Sequence, residues 1–148
     1  MRVLILFIGF AFPIMLSGEA LACSCFGPAT VEKGYARAAA VFTGEVISSS
    51  AAEIKFKVEK VWKGKVGAEA VLHDPYAGGS CGSYFATGQR YVVFASQAKE
   101  ENTVVLTTDP CSWTTKMSKA AKVIKKLDKL KARSAGFRSL RASPIRWN

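Results

Sequence analysis

Ile54-Lys55-Phe56-Lys57-Val58-Glu59-Lys60-Val61-Trp62-Lys63-Gly64 is the stretch on which the fold turns. From Ile54 to Glu59 apolar and charged side chains alternate without a break. Successive side chains of a strand point to opposite faces, so this pattern marks a strand with one buried and one wetted face. The period slips at Lys60-Val61-Trp62, where one extra residue would make a β-bulge, and Lys63-Gly64 ends the element.

Working outward, four more segments read as strands. Ala40 to Ile47 ends at the turn-prone Ser48-Ser49-Ser50, and Glu69 to His73 stops at Asp74-Pro75. Arg90 to Ala95 and Thr103 to Thr107 complete the set. Five strands with short connections predict a mainly β fold, a small antiparallel barrel or sandwich. The period changes after Cys111. Met117, Ala120, Ala121, Ile124, Leu127 and Leu130 recur at helical spacing with lysines opposite. This predicts a C-terminal amphipathic helix from about residue 113, docked on the barrel by its apolar stripe, with Ser112 as its cap. Beyond Arg133 the periodicity is lost, and residues 134–148 are expected to form a basic, flexible tail.

The start of the chain carries a different signal. Arg2, the apolar run Val3 to Leu16, and the small-residue box Ala20-Leu21-Ala22 form the pattern of a secretory leader. The run is shorter than the ~20 apolar residues of a spanning helix, which argues against a membrane anchor. Residues 1–22 are therefore expected to be a signal peptide, and 23–133 one domain beginning Cys23-Ser24-Cys25. Secretion, or export to a periplasmic or extracellular space, follows. A lipid-anchored form acylated at Cys23 is the minor alternative, since Ala20 and Leu21 suit ordinary cleavage better.

Charge is unevenly distributed. From Cys23 to Thr115 nine Lys/Arg balance nine Asp/Glu, whereas from Lys116 onward eleven Lys/Arg face Asp128 alone. The body gives no reason to expect nucleic acid; residues 116–146 are a candidate contact for an anionic membrane or envelope surface. Trp62, Tyr91 and Phe94 read as core. The chain's one histidine, His73, excludes a multi-histidine metal centre and reads as a strand-end structural residue. Gly78-Gly79-Ser80 lacks the Lys-Ser/Thr of a phosphate loop and reads as a turn. No nucleophile, base or metal cluster assembles into an enzyme site, so a non-enzyme without an intrinsic cofactor is expected.

All four cysteines, Cys23, Cys25, Cys81 and Cys111, lie after the leader, and an even count in an exported chain predicts two disulfides. Cys23 and Cys25 sit two apart in sequence, roughly 6.5–7 Å in extended chain, at the long limit for a bridge. Each should therefore reach a distant partner, one Cys81 and the other Cys111, in either of two cross-pairings.

Taken together, Cys23-Ser24-Cys25, Val41-Phe42-Thr43-Gly44, the stretch Ile54 to Gly64, Cys81-Gly82-Ser83-Tyr84-Phe85, the strand Tyr91 to Ala95, and Thr107 to Trp113 form an ordered series. In this series the chain resembles the inhibitory domain of the tissue inhibitors of metalloproteinases, within the netrin-like group. The resemblance implies a five-stranded OB-fold barrel and selects the pairing Cys23–Cys81 and Cys25–Cys111. It also implies that the amine and carbonyl oxygen of Cys23 chelate the catalytic zinc of a target metalloproteinase. Ser24 would enter the protease's specificity pocket, and Cys25 and Phe26 would continue the contact strand. The family's third bridge in this domain has no cysteines here. A monomer is expected. The alternative is a non-inhibitory netrin-like binding module, or an envelope lipoprotein, held at a surface by the basic C-terminal segment.

Overall fold

The computed structural model describes residues 25, 27–76, 81–100 and 103–141, with side chains described up to residue 135. A short helix α1 (Val31–Arg37) precedes the strands β1 (Ala40–Ser49), β2 (Glu53–Lys63), β3 (Glu69–His73), β4 (Arg90–Glu100) and β5 (Thr103–Thr107). A two-residue strand β6 (Thr115–Lys116), a 3₁₀ turn (Met117–Lys119) and the long helix α2 (Ala121–Arg141) follow. The strands close into a five-stranded barrel in the order β1-β2-β3-β5-β4, with β4 returning to β1. Neighbours are antiparallel except β3 and β5, which run parallel through Leu72–Leu106 and His73–Thr107. β6 adds to β4 through Thr115–Val92 and Lys116–Tyr91.

The slip expected near Lys60-Val61-Trp62 is present, and it is double. β1 pairs Val41 with Lys63 and Phe42 with Val61, passing over Trp62; it then pairs Thr43 with Lys60 and Gly44 with Val58, passing over Glu59. Ile54 and Phe56 point into the barrel before the bulges. After them Val61 still packs inward, while the next residue, Trp62, is buried against the outer helices. Two bulges within four residues let β2 serve both layers.

β1 and β4 form a wall buried on both sides. Phe42, Val46, Tyr91 and Val93 face the barrel interior with Ile54, Phe56, Leu72 and Phe85. Three edge-to-face ring contacts run through it, Phe42–Phe56, Phe56–Phe85 and Phe85–Tyr91, at 5.8, 5.4 and 4.9 Å. On the opposite face Val41, Val92 and Phe94 meet Val31 of α1 and Ala120, Val123 and Leu127 beside or within α2. Each large aliphatic or aromatic side chain buried this way contributes ~1.5–3 kcal/mol relative to exposure.

Polar ties fix the helices over that wall. Asp128 Oδ1 accepts hydrogen bonds from Trp62 Nε1 and Lys60 Nζ, each at 2.7 Å. The Lys60 hydrogen bond, then that of Trp62, holds the Asp128 carboxyl below the usual carboxylate range. Lys131 Nζ donates to the Val61 carbonyl at 2.7 Å, and Lys126 pairs with Glu32 of α1 at 3.3 Å.

The C-terminal helix differs from expectation at both ends. Residues 112–116 form a turn and then pair with β4, so the helix begins only after the 3₁₀ turn; it runs on through Arg141 instead of ending near Arg133. Ser112 does not cap it: its hydroxyl donates to Thr114 Oγ1, 2.9 Å away. The early start fails because Thr114 is already engaged, its Oγ1 accepting from the Phe94 amide at 2.9 Å. No helix of the described residues is long and apolar enough to cross a membrane.

Candidate functional site

The segment that leads into α1 is fastened to the Asp109–Trp113 segment by three separate devices. Cys25 is disulfide-bonded to Cys111, with alpha carbons 5.1 Å apart. Gly27 lies against the Cys111 backbone so closely that a Cβ there would run into the Cys111 carbonyl oxygen. Trp113 Nε1 donates to the Pro28 carbonyl at 2.9 Å. The same indole ring takes the space where a side chain on Gly34 would project, 2.7 Å from a Cβ built there. Thr30 then caps α1, its hydroxyl accepting from the Lys33 amide at 3.2 Å.

The partner segment is itself rigid. Asp109 Oδ1 accepts from the Cys111 amide at 2.8 Å, and its carbonyl accepts from the Ser112 amide at 3.0 Å. With Pro110 between, this makes a tight turn that aims Cys111 at Cys25. Thr114, bonded to both Ser112 and Phe94, joins the turn to the barrel wall.

The Cys81 segment is held by a buried carboxylate. Asp74, 7 % exposed, accepts from the Tyr76 amide at 2.9 Å through Oδ1 and from the Ser83 amide at 2.7 Å through Oδ2. Thr108 donates to Ser83 Oγ at 3.1 Å, while its amide bonds the His73 carbonyl at 2.9 Å. Asp74 and Thr108 therefore moor this loop at the end of β3 and β5. An open groove of about 410 Å³ runs between the loop and the Asp109–Thr115 segment, bordered by Ser83, Tyr84, Tyr91, Asp109, Lys116 and Lys119. Tyr84 stands 87 % exposed at its edge. A second groove, of about 290 Å³, lies on the other side of Asp109 and Cys111, between Gly27-Pro28, Arg37 and Trp113.

Of the residues expected to make the inhibitory contact, Cys25 is described and exposed. Cys23, Ser24 and Phe26 lie outside the described residues, and with them any zinc chelation by Cys23. The Cys25–Cys111 bridge is the one the resemblance selects for these two cysteines. Cys81 is disulfide-bonded as well; Cys23, its expected partner, lies outside the described residues. His73 sits at the end of β3 between Glu53 and Glu100, with nitrogen–oxygen separations of 3.8 and 3.5 Å. Among the described residues no group of three or more His, Cys, Asp or Glu side chains is placed to hold a metal ion.

Sequence reasoning assigned no positioning role to Gly27, Trp113, Asp74 and Asp109, which hold these segments in place. Some signals were there to be read: Gly27-Pro28 follows the first cysteines, and both aspartates precede a proline. The grip of Trp113 on Pro28 spans 85 residues and leaves no local trace. No protein-family model matches the chain, and a search of curated proteins finds no match.

Proposed function

We propose that this chain is exported, cut before Cys23, and inhibits a zinc metalloendopeptidase through the amine and carbonyl oxygen of Cys23. The observation that carries the reading is the triple fastening of Cys25, Gly27 and Pro28 to the Cys111–Trp113 segment. It holds the segment that begins two residues behind the proposed amine on a rigid support. The strand order β1-β2-β3-β5-β4 and the helix laid across one wall support assignment to the OB fold and the netrin-like group. The disulfide fits an oxidising compartment.

The chemistry is direct. A catalytic zinc has three protein ligands and an open position that holds water. An α-amine and the carbonyl of the same residue close a five-membered chelate that displaces this water. The amine binds only when neutral. With an ordinary α-amino pKa of about 7.7–8.0, part of the population is neutral near pH 7, and metal binding draws out the rest. A pre-ordered strand lowers the conformational cost of association. The Cys23 sulfur takes no part, so it remains available for its expected bridge with Cys81. Ser24 would occupy the pocket beside the zinc, and Phe26 would extend the contact.

The test compares the mature chain starting at Cys23 with one carrying a single extra alanine before it, against a panel of zinc endopeptidases. Intact mass confirms each start. The mature form should inhibit at least one enzyme, and the extended form should be weaker by at least about a hundredfold, because its amine is displaced from the metal. Equal potency, or inhibition by neither, refutes the proposal.

A further inference from the structure

We infer that the outer face of α2 is a docking surface for an anionic phospholipid layer, held by charge alone and without insertion. This does not rest on the inhibitory reading. The helix sorts its cations into two sets. Lys126 and Lys131 are engaged within the molecule, with Glu32 and the Val61 carbonyl. Lys122, Lys125, Lys129 and Arg133 are exposed and make no ion pair among the described residues. They recur at spacings of three and four, so they form one stripe opposite the buried Ala120, Val123 and Leu127. The stripe spans roughly 16 Å at the helical rise. Lys119, one turn earlier, is exposed as well. Two exposed carboxylates stand near the row, Asp128 and Glu32, and each is already paired, Asp128 with Lys60 and Trp62 and Glu32 with Lys126.

Three observations favour a lipid surface. The stripe is rigid, because the opposite face of the helix is bonded and packed on the barrel, so docking orders nothing new. The apolar face is already used, which leaves electrostatics as the attraction. Past Ser134 the helix runs on through Arg141, and its sequence there adds Arg138 and Arg141 and no acidic residue.

Each Lys or Arg close to an anionic bilayer strengthens binding by about fivefold, and the effect fades beyond a Debye length. The full mature chain should therefore co-sediment with vesicles of mixed phosphatidylglycerol and phosphatidylcholine, but not with pure phosphatidylcholine, and added salt should release it. The variant K122Q/K125Q/K129Q should bind about a hundredfold more weakly, with an unchanged circular dichroism spectrum. Should that variant misfold, K129Q alone decides, with an expected loss of about fivefold. Equal binding to both vesicle types, or undiminished binding by the substituted chains, overturns the proposal. So does tighter binding to heparin than to the mixed vesicles at matched charge, which would make a soluble polyanion the ligand.

Discussion

Replacing Cys25 and Cys111 together by serine tests whether the bridge is the main brace of the N-terminal edge. The two residues are 86 apart in sequence. In the chain-entropy account, closing a loop of that length removes about 15 cal/mol/K from the unfolded ensemble, or about 4.6 kcal/mol at 25 °C. Cys81 lies inside this loop and is itself bridged, so part of the restriction survives. The expected loss is therefore about 2–4 kcal/mol. Serine leaves no cavity of consequence, since Cys25 is exposed and Cys111 only half-buried. Guanidinium denaturation gives the free energy, and the slope of the transition reports any change in the unfolded state. Hydrogen exchange should show the loss concentrated in α1 and in Cys111–Thr114, while amides of β1 and β4 keep their protection relative to global unfolding. If the double variant unfolds within about 0.5 kcal/mol of the parent, the remaining contacts hold the edge unaided and the bracing argument fails.

Three further outcomes follow from the geometry. Gly27→Ala should cost about 1–3 kcal/mol by denaturant melting, because the added methyl group meets backbone, the Cys111 carbonyl, and not a side chain that can turn away. Asp74→Ala leaves the Tyr76 and Ser83 amides without their acceptor, and should destabilise by about 2–4 kcal/mol and loosen the Cys81 loop in exchange measurements. For pH, the folded-state pKa of Asp128 is depressed, so its contribution is fully present above the ordinary carboxylate pKa and is lost as pH falls through the lower folded value. Acid titration should therefore shift the Trp62 fluorescence in that window, and Asp128→Asn should abolish the shift.

The barrel was legible because its strands obey simple alternation. The starts of all five barrel strands fall within a residue of where periodicity puts them. Two ends do not. β1 runs on to Ser49 and β4 to Glu100. The residues Ser96-Gln97-Ala98-Lys99-Glu100 lose the apolar pattern because their pairing with β5 stands largely in water. Helix α1 gave no periodic signal: it is seven residues long with a glycine at its centre. It exists through distant contacts. Tyr35 donates its hydroxyl to the Trp62 carbonyl at 3.0 Å, and Lys63 Nζ donates to the Tyr35 and Ala36 carbonyls at 2.8 and 2.9 Å. At the candidate site, spacing excluded a Cys23–Cys25 bridge but left two cross-pairings open. Choosing between them takes the tertiary path that brings Cys111 to Cys25, and no local pattern encodes that path.

The two-sided wall of β1 and β4 has a consequence for how the molecule can be divided. Among the described residues, Val41, Val92, Phe94 and Trp62 are covered by α1, by α2 and by Trp113, Met117 and Ala120 ahead of it. A barrel freed of its last helix would carry a broad greasy panel on its outside, prone to self-association. A proteolytic cut between Lys116 and Ala121 would therefore not release a smaller working unit. It would begin the collapse of the whole domain, so the linker ahead of α2 is a fuse and not a seam. Any attempt to graft the cysteine-tipped end onto another scaffold must carry the helix with it, at least through Leu130, whose side chain still rests on that panel.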